Sequence, residues 1–114
     1  MKQDQLQLEQ DRLVSAWNNT LPRTLNKTDE AVVKADEADP KSLRIEITTA
    51  GRSKYTFDFK VTYVDSREIE VHLVDVEQDN KTIDEHTEIV QTLAEDYVRH
   101  LHETAQVLHE VTHA

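Results

Sequence analysis

The sequence predicts an α+β protein: a three-stranded antiparallel β-meander packed on one long C-terminal helix, with a short N-terminal helix, all in a single domain spanning 1–114. Three patterns lead there. Apolar and polar residues alternate with period two across 43–78, an uninterrupted amphipathic arc runs through 82–113, and a narrow apolar stripe marks 3–19. A chain of 114 residues buries one modest core.

Within 3–19, Leu6, Leu13 and Trp17 share one helical stripe with Val14 beside it, and the glutamines face water. Pro22 is expected to end this helix by forcing Leu21 toward extended geometry. Residues 23–41 carry one short apolar run, Ala31-Val32-Val33, in an acidic frame; a mobile linker is favoured over an edge strand or a helical turn.

From Leu43 the alternation is plain. Leu43-Arg44-Ile45-Glu46-Ile47 reads as a half-buried strand, and the only glycine, Gly51, sits in the following turn. The second strand puts Tyr55, Phe57, Phe59, Val61 and Tyr63 on one face, which gathers four of the six aromatic residues into the floor of the core. Ile69, Val71 and Leu73 continue that face on the third strand. There the phase slips, since Val74 and Val76 are both apolar, which either a bulge near Val74 or partial cover on the second face explains.

The C-terminal segment opens on Thr82-Ile83-Asp84-Glu85, which matches a capping box. Its arc runs Ile89, Val90, Leu93, Ala94, Tyr97, Val98, Leu101, Ala105, Val107, Leu108 and Val111. A helix of that length measures about 46 Å, against about 36 Å for the longest strand. The last turns therefore overhang the sheet, and Val107, Leu108 and Val111 are expected to form an interaction surface covered by the N-terminal stripe or by a second copy.

Composition narrows the function. The net charge is −10, with twelve acids against three basic residues between Asp65 and Glu103, so phosphate-backbone binding is disfavoured. Five basic residues against two acids between Lys41 and Lys60 make too small a patch to reverse this. Cysteine is absent, which removes disulfides and thiol chemistry. No run approaches the roughly 18 apolar residues of a membrane span, and no signal peptide is apparent, so a cytoplasmic setting is expected. One glycine cannot build a phosphate-cradling loop, and no cofactor is expected.

One motif carries possible chemistry. His109-Glu110-Val111-Thr112-His113 matches the zinc-hydrolase pattern, in which histidines one turn apart hold a metal and the glutamate acts on bound water. His109 and His113 are the candidate metal ligands. Against them, the motif has no third ligand following it in this sequence, and a helix end makes a poor rigid shell.

The order of three strands and a long helix over 43–113, with its acidic charge, resembles the layout of SecB-type export chaperones; the likeness is one of layout, with no binding motif to carry across. It implies a chaperone-like role. The expected function is thus a non-enzymatic protein-binding module, adaptor or chaperone-like, with a protein partner or self-association as a homodimer. A zinc-dependent hydrolase using 109–113 is the alternative, and an acidic DNA mimic a third.

Overall fold

The computed structural model describes residues 9–25, 29–49, 55–65, 68–78, 81–84 and 86–109. They form an α+β fold with two helices and a five-stranded antiparallel sheet: α1 (Gln10–Thr24), β1 (Glu30–Ala35), β2 (Ser42–Thr48), β3 (Tyr55–Tyr63), β4 (Ile69–Gln78), β5 (Lys81–Thr82) and α2 (Glu88–Val107). The strands are neighbours in chain order, β1-β2-β3-β4-β5. The meander is therefore wider than the three strands expected.

The first added strand comes from the segment read as a linker. Val33 is buried on the core side of β1, and Val32 remains exposed on the other side. Local propensity does not explain this order; tertiary hydrogen bonds do. Gln10 Nε2 lies 2.9–3.0 Å from the carbonyl oxygens of Asp36, Asp39 and Ser42, tying helix α1 to the β1–β2 turn. Within that turn the Lys41 N–H and the Ser42 hydroxyl donate to the Asp39 carboxylate at 2.9 and 2.8 Å. These two donors, the backbone one first, hold the Asp39 carboxyl below the usual carboxylate range.

Helix α1 lies further along the chain than expected. Leu13 and Trp17 do share its buried stripe, joined by Thr20 and Leu21, but the helix runs through Pro22 to Thr24. Proline forfeits one helical hydrogen bond and costs about 3 kcal/mol in a helix interior. Here it falls in the last turn, where Leu21 and Leu25 are both buried. Burial contributes roughly 1.5–3 kcal/mol per leucine, so the turn survives. Leu6 lies outside the described residues.

The odd-numbered residues of β3 form the floor as expected: Phe57, Phe59, Val61 and Tyr63 are buried, with Ile45, Ile47 and Leu43 beside them on β2. Phe57 stacks on Phe59 with centroids 6.1 Å apart and meets Tyr97 of α2 at 5.3 Å. The Trp17 indole N–H donates to the Tyr63 hydroxyl at 3.1 Å. Both helices therefore cover one face of the sheet, α1 over β1 and β2, α2 over β4. The register of β3 with β4 shifts between Asp58 and Phe59, which leaves Val74 as the extra residue of a bulge.

Helix α2 starts later than the capping box implied. Thr82 is in β5, Ile83 N–H donates to Val76 O at 3.0 Å, and Thr87 is the N-cap, without a side-chain capping bond. Glu85 lies outside the described residues. Strand pairing has taken the residues that local sequence assigns to the first helical turn. Twenty residues of helix measure about 30 Å, close to the length of nine-residue β3 at about 30 Å. Within the described residues the helix matches the sheet and does not overhang it.

Candidate functional site

The two edges of the sheet are treated differently. On β1, Asn18 of α1 acts as a substitute strand: its Nδ2 donates to Val33 O and its Oδ1 accepts from Val33 N–H, both at 3.0 Å. The outward groups of Val33, midway along that edge, are thus occupied by a side chain. On the far side, β5 pairs only with Glu77 and Gln78, and Ile83 takes Val76 O. Among the described residues, nothing pairs with the outer edge of β4 from Ile69 to Leu73.

The direction of these backbone groups follows from the register. Tyr63 N–H donates toward β2, to Lys41 O, whereas Val64 N–H donates to Glu68 O. Even-numbered residues of β3 thus bond β4, making Thr62↔Glu70 and Lys60↔His72 the hydrogen-bonded pairs. Ile69 and Val71 consequently direct both N–H and C=O outward, as does the Leu73 N–H ahead of the bulge.

A groove runs beside this edge, between β4 and α2, and deepens at two places. One depression of about 420 Å³ is lined by Leu73, His86, Gln91, Ala94, Glu95 and Val98. The other, of about 570 Å³, is lined by Glu68, Ile69, His102, Ala105, Gln106 and His109. Helical spacing on α2 produces the lining, since 91, 94, 95, 98, 102, 105, 106 and 109 share one side of the helix. Leu73, Ala94 and Val98 are half-buried, so the floor of the first depression is apolar. At its upper end Asp84 Oδ1 accepts from the His86 N–H at 2.9 Å and lies 3.1 Å from His86 Nδ1. These contacts, the backbone bond first, hold the Asp84 carboxyl below its ordinary range.

The opposite face of the sheet is charged. The register sets Lys34, Arg44, Lys60 and His72 in one row across four strands, with Glu46, Asp58 and Asp75 in the next. Like charges directly opposite are unfavourable, and the neighbouring acids offset this. Arg44 meets Asp58 at 2.7 Å and Lys60 meets Asp36 at 3.3 Å. A basic row through this face does not fit a continuous phosphate-like surface.

The residues singled out from sequence separate. Leu108 is 6 % exposed and packs in the core, whereas Val107 is 62 % exposed. Helical geometry gives the reason: Leu108 follows Leu101 and Thr104 on the buried stripe, and Val107 lies off it. Val111, Glu110 and His113 lie outside the described residues. His109 is half-buried and lines the second depression. Among the described residues no group of three histidine, aspartate or glutamate side chains is placed to hold a metal.

What sequence reading missed is the β4 edge with Leu73, Ala94 and Val98. The apolar alternation of β4 and the arc of α2 were both visible. Neither tells whether β4 has a neighbour on its outer side, because that depends on where β5 ends. Comparison with protein-family models, curated proteins and solved structures returns no match, so the groove's own geometry carries the functional argument.

Proposed function

We propose that this chain is a non-enzymatic protein-binding module, adaptor or chaperone-like, that accepts an extended segment of a partner as an additional strand beside β4. The observation that carries the reading is that the outward N–H and C=O groups of Ile69 and Val71 lie beside two depressions along α2, an apolar one at Leu73 and a mixed one at Ile69. In strand addition, backbone hydrogen bonds supply affinity and pockets for alternate side chains supply specificity. On the opposite edge Asn18 occupies the outward groups of Val33, which favours β4 as the accepting side. A cytoplasmic setting belongs to this reading and rests on composition alone; no helix of the described residues is long and apolar enough to cross a membrane.

The test is to select short peptides from a displayed random library and map where they land by amide exchange and chemical shift. Protection of Val71 and Leu73, with shifts at Ala94 and Val98, is the expected result. Shifts confined to Val107 and its surroundings would return the interaction surface to the helix end. The zinc alternative is tested separately, by metal analysis of untagged protein. Stoichiometric zinc bound through His109 would replace the binding-module reading with an enzymatic one.

A further inference from the structure

The geometry points to the chemistry of the partner: an extended segment with apolar side chains at alternate positions and lysine or arginine between them. This inference rests on strand addition at β4 and adds the identity of the occupant.

Residues directly opposite on neighbouring strands share a face. An added strand therefore places the residues opposite Ile69, Val71 and Leu73 on the α2 side. Those opposite Ile69 and Leu73 are four positions apart, about 13 Å along a strand, and each meets one of the two depressions. An apolar side chain suits the first, lined by Leu73, Ala94 and Val98, whereas the second, where Ile69 and Ala105 meet Glu68, His102, Gln106 and His109, accepts a mixed one.

The intervening side chains emerge on the open face, opposite Glu70 and His72. Glu70 is exposed there, with His72 Nε2 at 3.6 Å. Asp75 follows on the same open face just beyond the bulge. Neither depression is lined by a lysine or arginine among the described residues, and their titratable lining is Glu68, Glu95, His86, His102 and His109. The nearest permanent cation across the sheet, Lys60, is engaged by Asp36. This acidic rim favours a basic partner. It also disfavours a second copy pairing β4 with β4, which would bring Glu70 and Asp75 of both copies to one seam.

The experiment uses the full chain and two fluorescein-labelled probes, an alternating valine–lysine peptide and its valine–glutamate counterpart, followed by anisotropy. Val71→Pro removes an outward N–H that β3 does not use, a substitution that an edge strand tolerates. Ala94→Phe fills the upper depression and leaves the backbone intact, which keeps the test valid if the proline variant does not fold. Expected is valine–lysine binding that is roughly tenfold tighter than valine–glutamate, from several exposed charge pairs, and is lost in both variants. Equal binding of the two peptides with the same sensitivity to Val71→Pro overturns the basic partner and leaves strand addition standing. Valine–lysine binding that survives both variants is diffuse attraction to an acidic surface, and overturns strand addition as well; so does failure of either peptide to bind. Self-association abolished by Val71→Pro, seen by sedimentation, overturns the proposal in favour of a second copy.

Discussion

Asn18→Ala tests the claim that a side chain occupies the outward groups of Val33 on one sheet edge. The substitution deletes both hydrogen bonds to Val33, each 3.0 Å long. A typical net contribution is about 0.5–1.5 kcal/mol per bond, so the pair contributes about 1–3 kcal/mol. Alanine is the better helix former, which returns about 0.5 kcal/mol at this interior position of α1. The expected loss is therefore about 0.5–2.5 kcal/mol, a midpoint drop of about 1 M in urea for a domain of this size. Asn18→Asp is the control: it still accepts from Val33 N–H but sets a carboxylate against Val33 O, so it should not rescue. Urea unfolding gives the global figure, and amide exchange at Val33 gives the local one, with protection falling in Asn18→Ala. A variant as stable as the parent, with Val33 exchange unchanged, refutes the reasoning and reduces Asn18 to a surface residue.

Three further outcomes are expected. Leu101→Ala, at a fully buried position, should cost about 2–5 kcal/mol in chemical unfolding, and a loss under about 1 kcal/mol would show that α2 is not seated on the sheet. Burial pushes the Tyr63 phenol up to about 12, with the Trp17 hydrogen bond acting in the opposite sense; the folded state holds this proton more tightly, so its contribution is fully present below the unfolded value near 10 and lost as pH rises toward 12. An absorbance titration in which all three tyrosines ionise together at the ordinary value in folded protein would contradict this. On the acid side, the depressed Asp39 carboxyl stabilises the fold above its ordinary value and ceases to do so as pH falls through its folded one. Asp39→Asn should flatten that part of the stability curve, and an unchanged acid limb would remove Asp39 as its source.

The strands that the sequence announced clearly are those whose two faces meet different solvents. Phe57, Phe59, Val61 and Tyr63 alternate with Asp58, Lys60 and Thr62 because one side of β3 is packed and the other is wet. The phase slip at Val74 was likewise legible, and the register shift shows it to be a bulge where the sequence also allowed cover on the second face. Leu13 and Trp17 declared the stripe of α1, and Val90, Tyr97 and Leu101 that of α2. Where the reading failed, a distant partner had overridden a local signal. Thr82 and Glu85 look like a helix start, yet β4 recruits Lys81 and Thr82 as a strand. Pro22 looks like a stop, yet the burial of Leu21 and Leu25 carries the helix past it.

The candidate site shows the same division. Its materials, the apolar positions of β4 and the side of α2 that bears Ala94 and Val98, are written in residue periodicity, which is a property of one segment at a time. An open edge is a relation between segments. Asn18 and Val33 are fifteen residues apart, and their pairing occupies the outward groups of Val33 on β1; a β5 of only two residues stops short of Leu73, and among the described residues nothing pairs with β4 there. Amphipathic pattern alone thus determined β2, β3, β4 and the stripes of the two helices, with the face each one buries, but not β1 or β5. The tertiary structure decided which strand keeps unpaired hydrogen-bonding groups beside a partly apolar groove, because backbone pairing depends on what lies alongside and leaves no trace in the local order of side chains.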